Sequence, residues 1–153
     1  MPNQVTLKSH QTALVALLKR VPVGKQTGKD FYTFMFDKAP ELRKWFKGAE
    51  SFCGNDVQSS TRFDKQGIKI VLSVHILAHC WHNDNVFEHY VWQLVRMHDR
   101  FKGFNESVAH YQAFFPVMLS FLKSKTPVSV EEEKAFAELA AHFVKQAEVV
   151  LAG

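Results

Sequence analysis

Two stretches of the chain space their apolar residues along one face of a helix and interrupt that face with a single polar residue. In Phe63–Cys80 the stripe is Phe63, Gln66, Ile70, Val74 and Leu77; in Val86–His98 it is Phe87, Val91, Leu94 and His98. A polar group turned into an apolar site without a partner costs about 1–3 kcal/mol. Gln66 and His98 therefore each demand a partner. A flat apolar ligand with one metal atom at its centre answers both demands. The His would bind the metal, and the Gln would face the ligand from the other side.

The rest of the chain reads as helix too. A first helix over Thr6–Val21 puts Leu14, Leu17, Leu18 and Val21 on one face, and Pro22 and Gly24 end it. A second over about Gln26–Lys38 turns Phe31, Met35 and Phe36 inward. Pro40 suits a first helical position and opens a short turn, Pro40–Phe46. Lys47–Ser60 is polar, contains Gly48 and Gly54, and reads as a connecting loop with at most a short helical turn. Around the second stripe, His82–Asp84 reads as a break, Asn85 and Glu88 as a capping box, and Gly103 as a stop. The segment Asn105–Lys123 carries Val108, Tyr111, Phe114, Phe115, Met118 and Leu122, with Pro116 inside it as an expected kink. Ser129 and Glu132 form another capping box. The last helix runs to about Leu151, with Phe136, Leu139, Phe143 and Ala147 or Val150 inward. No strand alternation or internal repeat interrupts this pattern, so the expectation is an all-α chain forming one domain over 1–153.

Composition narrows the function. At 153 residues and 46% apolar, the chain can bury one core. Of its 20 aromatic residues 14 are Phe, which suits a core built around a flat ligand. Trp45, Trp81 and Trp92 lie near helix ends and are expected to be partly exposed. The net charge of +4 is spread along the chain, with no basic run and no basic stripe interleaved with aromatics, which argues against nucleic-acid binding. The N-terminal residues Met1-Pro2-Asn3-Gln4 show no secretory core. The apolar run Ile70–Leu77, broken by Ser73 and His75, is too short to cross a membrane. The expectation is a cytoplasmic chain, unless a leader was removed before the numbering begins. Cys53 and Cys80 define no disulfide framework and read as free thiols.

Taken jointly, these features resemble the globins, and specifically those of the nematode type. A lone His on an apolar face is more often a core residue than a ligand; the joint pattern carries the resemblance. Its stretches are Phe31-Tyr32-Thr33-Phe34-Met35-Phe36, Pro40-Glu41-Leu42-Arg43-Lys44-Trp45-Phe46-Lys47, Arg62-Phe63-Asp64-Lys65-Gln66-Gly67 and Leu94-Val95-Arg96-Met97-His98. The resemblance implies a globin fold of about seven to eight helices around a haem pocket, with haem b as cofactor. It makes His98 the proximal ligand of the haem iron and Gln66 a distal residue. Tyr32 takes a second distal position, and Phe46, six residues after Pro40, wedges against the haem. Tyr with Gln at these two places is the pattern of tight-binding nematode globins. Ile70, one turn beyond Gln66, is expected to shape the distal pocket. Leu94, one turn before His98, packs on the porphyrin or orients the imidazole, its carbonyl being a possible acceptor for the second ring N–H. Lys69 and Arg62 are candidates for the haem propionates. Pro116 departs from the family's pattern.

The function so implied is reversible dioxygen binding, for storage or transport. Bound dioxygen carries partial negative charge, so the Tyr32 hydroxyl and the Gln66 amide would hold it as donors and raise affinity. Carbon monoxide and nitric oxide are further ligands of such a site. One alternative is a haem enzyme acting on nitric oxide, nitrite or peroxide. It needs a reductase partner, since the chain shows no flavin or nicotinamide domain. Another is a gas or redox sensor. A helical interaction module without haem would make His98 incidental. His75, His79, His82, His89, His110 and His142 read as surface or packing residues, which leaves no second axial ligand.

Overall fold

The helices that carry Gly28 and Gly67 cross with their backbones in contact, and the crossing is built from these two glycines. A Cβ placed on Gly28 would lie 2.2 Å from the carbonyl carbon of Gly67, and one on Gly67 would lie 2.5 Å from that of Gly28. Helix axes come this close only where side chains are absent from both. The computed structural model describes residues 4–153. The reading of Met1-Pro2-Asn3 as free of a secretory core lies outside them. In chain order the described elements are α1 (Gln4–Lys19), α2 (Lys25–Lys38), a 3₁₀ turn (Pro40–Trp45), α3 (Gly54–Ser59), α4 (Arg62–Cys80), α5 (Asp84–Met97), a second 3₁₀ turn (Phe104–Glu106), α6 (Ala109–Lys125) and α7 (Val130–Ala152). No strand occurs among the described residues. None of their helices is long and apolar enough to cross a membrane.

The expected inward faces are the buried ones. Leu14, Leu17 and Leu18 of α1, Phe31, Met35 and Phe36 of α2, and Phe136, Leu139, Phe143, Ala147 and Val150 of α7 join one continuous core. α7 starts on the expected capping box: Glu132 N–H donates to Ser129 Oγ at 3.1 Å, and Ser129 N–H to Glu132 Oε1 at 3.0 Å. The same carboxylate takes Arg20 Nη2 at 2.8 Å, tying the end of α1 to the start of α7.

Local readings differ at several points: α1 ends at Lys19 and not at Val21, and α6 starts at Ala109 and not at Asn105. Asn83, not Asn85, caps α5, its Oδ1 accepting from Val86 N–H at 3.2 Å. Asn85 thus falls inside the first turn, and the Asn85–Glu88 box does not form. Trp81 is buried rather than partly exposed, because its indole N–H has an internal acceptor, His142 Nδ1 at 2.9 Å. Trp92 is exposed and Trp45 half-buried, as expected. The Lys47–Ser60 loop contains α3, whose N-terminus is held by Cys53 N–H donating to Asp56 Oδ2 at 2.8 Å. α6 runs unbroken through Pro116. Pro116 lacks the N–H that Gln112 C=O would accept, but both residues are exposed and water can take its place.

Gly28→Ala is expected to lower stability by at least about 1–3 kcal/mol, because the new methyl meets backbone and not a side chain that can turn away. Thermal unfolding checks this, with a fall of roughly 2–4 °C per kcal/mol for a chain of this size. Gly24→Ala, with nothing within 4 Å of the added Cβ, should unfold within a degree or two of the parent.

Candidate functional site

The inward stripes of α4 and α5 each contain two half-buried positions on the side away from the turn that joins the helices, with Phe63 at the start of α4 buried beyond them. On α4, Phe63, Val74 and Leu77 are buried, while Gln66 and Ile70 are only half-buried. On α5, Phe87 and Val91 are buried, while Leu94 and His98 are half-buried. The helices are tied together midway, where the Tyr90 hydroxyl donates to Ser73 Oγ at 3.3 Å. Gln66 stands two turns before Ser73 and His98 just over two turns after Tyr90. Both polar residues therefore lie on the side of the hairpin away from its turn, at similar distance from the Tyr90–Ser73 bond.

One wall of this region presents a single imidazole. His98 forms the C-cap of α5, and its Nδ1 lies 2.7 Å from Leu94 C=O. A carbonyl only accepts, so Nδ1 carries the hydrogen and the neutral ring keeps its lone pair on Nε2. Among the described residues Nε2 has no hydrogen-bond partner. The Phe104 ring lies almost flat on the imidazole, with centroids 4.7 Å apart and planes at 22°, and Tyr111 meets it edge-on at 5.6 Å. Burial pulls the His98 pKa below the ordinary imidazole value, against the bond to Leu94, which raises it.

The opposite wall is aromatic with polar tips. Tyr32 is buried, one turn after Gly28, its ring 5.4 Å from Phe46 and 5.1 Å from Phe63. Its hydroxyl makes no hydrogen bond among the described residues. Burial pushes the phenol well above its ordinary pKa, the charge of Arg62 opposing, so it stays protonated and able to donate. Gln66 directly precedes the crossing glycine, and its Oε1 accepts from Arg62 Nε at 3.2 Å. Ile70 lies one turn further along α4. Lys69 is exposed between them.

The Pro40–Trp45 turn joins the two walls. Phe46, its C-cap, packs edge-on against Tyr32 and against Phe36 at 5.2 Å. The preceding Trp45 faces the other way, onto Phe104 at 5.0 Å and His110 at 4.7 Å. Its indole N–H is buried without a partner.

Sequence reasoning passed over Phe104 and Asn105, which hold the imidazole's wall together. Gly103, at φ 85°, turns the chain back, and Phe104 follows onto His98. Asn105 Nδ2 donates to Val95 C=O at 2.9 Å and to Asp99 Oδ1 at 2.7 Å, and its Oδ1 accepts from the Tyr111 hydroxyl at 2.6 Å. The signal available was Gly103 itself, a left-handed residue placing an aromatic within six residues of the His. The other histidines named above are engaged elsewhere or exposed. His75 bonds Val21 C=O, His142 accepts from Trp81, His82 meets Gln11, His89 stacks on Trp92, and His110 lies behind Phe104.

The donor set decides what kind of metal group fits. No cluster of three or more His, Cys, Asp or Glu suited to a metal occurs among the described residues. A metal here gets one imidazole from the chain, and its remaining donors must arrive with it, inside a flat apolar macrocycle such as haem. The bare Nε2, the phenylalanine walls and the unbonded Tyr32 hydroxyl fit that group.

Comparison with known proteins agrees. The Globin family profile matches residues 29–147. The chain is 42% identical over 133 residues to a protein named myoglobin from Nippostrongylus brasiliensis, covering 84% of each. It is 34% identical over 137 residues to a protein named myoglobin from Ascaris suum, covering 86% of this chain and 89% of that one. The solved structure of a Caenorhabditis elegans globin-like protein superposes with a TM-score of 0.89 at 31% identity, over 95% of this chain and 93% of that one.

Asn105→Ala strips a partner from Val95 C=O, Asp99 and Tyr111 together. It should destabilise the protein by about 0.5–1.5 kcal/mol in urea unfolding, the worth of the bonds lost, since Val95 C=O keeps His98 N–H and the Tyr111 hydroxyl keeps Val95 C=O.

Proposed function

The chain belongs to the globin family, and we propose that it binds dioxygen reversibly through haem b, for storage or transport, with an affinity raised by Tyr32 and Gln66. Haem b supplies, when bound, the iron at which the gas is taken up and released. The chain's part is to hold the group, keep one face of it open and place donors over that face.

His98 Nε2 is the proposed iron ligand. Leu94 C=O holds the ring by its Nδ1–H, which fixes the tautomer, and Phe104 stops it from turning. Phe46 and Ile70 are the proposed contacts on the other face, Phe46 as a wedge and Ile70 as a limit on ligand size. Lys69, exposed two turns beyond the start of α4, is the proposed partner of a haem propionate. Tyr32 donates its O–H to the bound gas, and Gln66 donates an amide N–H. The Gln66 amide is a poor iron ligand beside imidazole, and Tyr32 is held as a protonated phenol, so the open face stays open. The observation that carries this reading is Tyr32: its ring is packed among Phe31, Phe36, Phe46 and Phe63, and its hydroxyl, held protonated, makes no hydrogen bond within the described residues. A core tyrosine ordinarily bonds something. Carbon monoxide and nitric oxide would occupy the same place, and a reductase partner would return oxidised iron to the ferrous state.

His98→Ala should lose most of its haem, read as the Soret absorbance per chain, and regain it when imidazole is supplied. Haem retained at the parent level, with an unchanged ferrous spectrum, would remove His98 from its role.

Tyr32→Phe keeps the ring and deletes only the donor. A hydrogen bond to a charged acceptor, about 1.5–3 kcal/mol, converts to roughly 10- to 150-fold faster dioxygen release. Carbon monoxide, far less polar when bound, should leave at nearly the parent rate. Stopped-flow release of both gases checks this, and a dioxygen rate within twofold of the parent would sink the distal mechanism.

A further inference from the structure

Arg62 and Gln66 stand one turn apart at the start of α4, joined by the bond from Arg62 Nε–H to Gln66 Oε1 at 3.2 Å. A guanidinium has N–H donors and no acceptor. The end of the amide that faces it must therefore be the oxygen, since the other end would set N–H against N–H. With the oxygen so engaged, both amide N–H donors are turned away from Arg62. The guanidinium is pinned as well. Its Nη1 donates to Lys47 C=O, in the loop that follows Phe46, and its Cζ lies 5.7 Å from the Phe63 ring centroid. Phe63 is the ring nearest to Tyr32. Arg62 thus stands where the loop and both distal residues meet.

The geometry points to Arg62 as the positioning residue of the distal pocket: it locks the Gln66 amide in the one orientation that offers N–H, and not C=O, to the gas. This inference rests on the reading of Gln66 as a donor to bound dioxygen. Without Arg62 the amide is free to turn, and part of the population presents a lone pair to a partly negative ligand. The expectation for Arg62 from sequence was a haem propionate. In the structure two of its three nitrogens are bonded to Gln66 and Lys47. The positive charge is a second contribution, and the experiment must separate it from orientation.

The test uses the haem-loaded protein, in the parent and in Arg62→Leu, Gln66→Leu and the double variant. In the parent, bound carbon monoxide should show one C–O stretching band and the Gln66 side-chain amide one dispersed pair of NMR cross-peaks. Arg62→Leu should add a higher-frequency C–O band, from molecules in which the amide has turned, and move the Gln66 cross-peaks toward free-amide positions. If the competent orientation falls to between a third and a tenth of the population, dioxygen release rises by roughly 3- to 10-fold. In the Gln66→Leu background, adding Arg62→Leu should change release by less than about twofold, because the group being oriented is gone. An Arg62→Leu protein with the parent's C–O band, Gln66 cross-peaks and release rate overturns the inference. So does an equal acceleration in both backgrounds, which would mean that the charge acts by itself. If Gln66→Leu alone releases dioxygen at the parent rate, the donor reading of Gln66 fails and takes this inference with it. If Gln66→Leu accelerates release and Arg62→Leu does not, the positioning role alone is lost.

Discussion

The contact between Gly28 and Gly67 is the constraint on which the rest of the site depends. Helices ordinarily pack 8–10 Å apart, with side chains interposed. Here nothing is interposed, and the residues flanking the crossing are carried in with the backbones. Tyr32, one turn past Gly28, comes to lie against Phe63, one turn before Gly67, and Gln66 sits beside the crossing itself. A side chain at either glycine would separate the two distal donors. The geometry of the polar groups is thus a consequence of two residues that have no polar chemistry of their own.

The two walls of the site solve different physical problems. A metal ligand must present a lone pair in a fixed direction. In the proposed role of His98, the chain manages this by capping α5 with the imidazole and letting one carbonyl of the last turn, Leu94 C=O, take its Nδ1–H. Phe104 then replaces the rotational freedom of the ring with stacking, and Asn105 fixes Phe104 by tying its turn to Val95, Asp99 and Tyr111. Hydrogen-bond donors for a small ligand face the opposite requirement: they must stay unsatisfied until the ligand arrives. Surrounding Tyr32 with phenylalanines achieves this by offering its hydroxyl no acceptor. For Gln66, the Arg62 guanidinium occupies the acceptor end of the amide alone and leaves the donor end available. Phenylalanine rings around Tyr32 bring no acceptor that would occupy its hydroxyl, which a tyrosine hydroxyl in their place could do.

Much of this was legible from residue order. The helices could be read because an apolar face repeats every three to four residues and because Pro22, Gly103 and Ser129 mark their limits. The two polar residues stood out because a stripe makes them exceptions. Asn83 was missed as a cap in favour of Asn85, because capping is a matter of backbone angle at one residue and two asparagines two positions apart satisfy the same pattern. Trp81 was misread as partly exposed because its burial depends on an acceptor, His142, 61 residues away. Phe104 and Asn105 follow Gly103 in what reads as a helix stop, and no periodicity points a loop residue at a partner.

Sequence by itself determined that the chain is all helix, that it builds one core, and that Gln66 and His98 are the polar exceptions on their stripes, whereas Tyr32 and Phe46 stood out only through the resemblance to globins. Those properties are local: a periodicity, a turn residue, a polar exception on an apolar face. Only the tertiary structure decided that the α4–α5 hairpin carries Gln66 and His98 on the side away from its turn, that Trp45 and Phe46 serve opposite walls, and that Arg62 faces Gln66 and Lys47. Each of these joins elements distant along the chain, or chooses among rotamers that a lysine-rich, arginine-bearing surface leaves equally open. Local spacing restricts where a side chain can go; which neighbour it meets is settled when helices pack, because packing fixes distances that sequence separation does not.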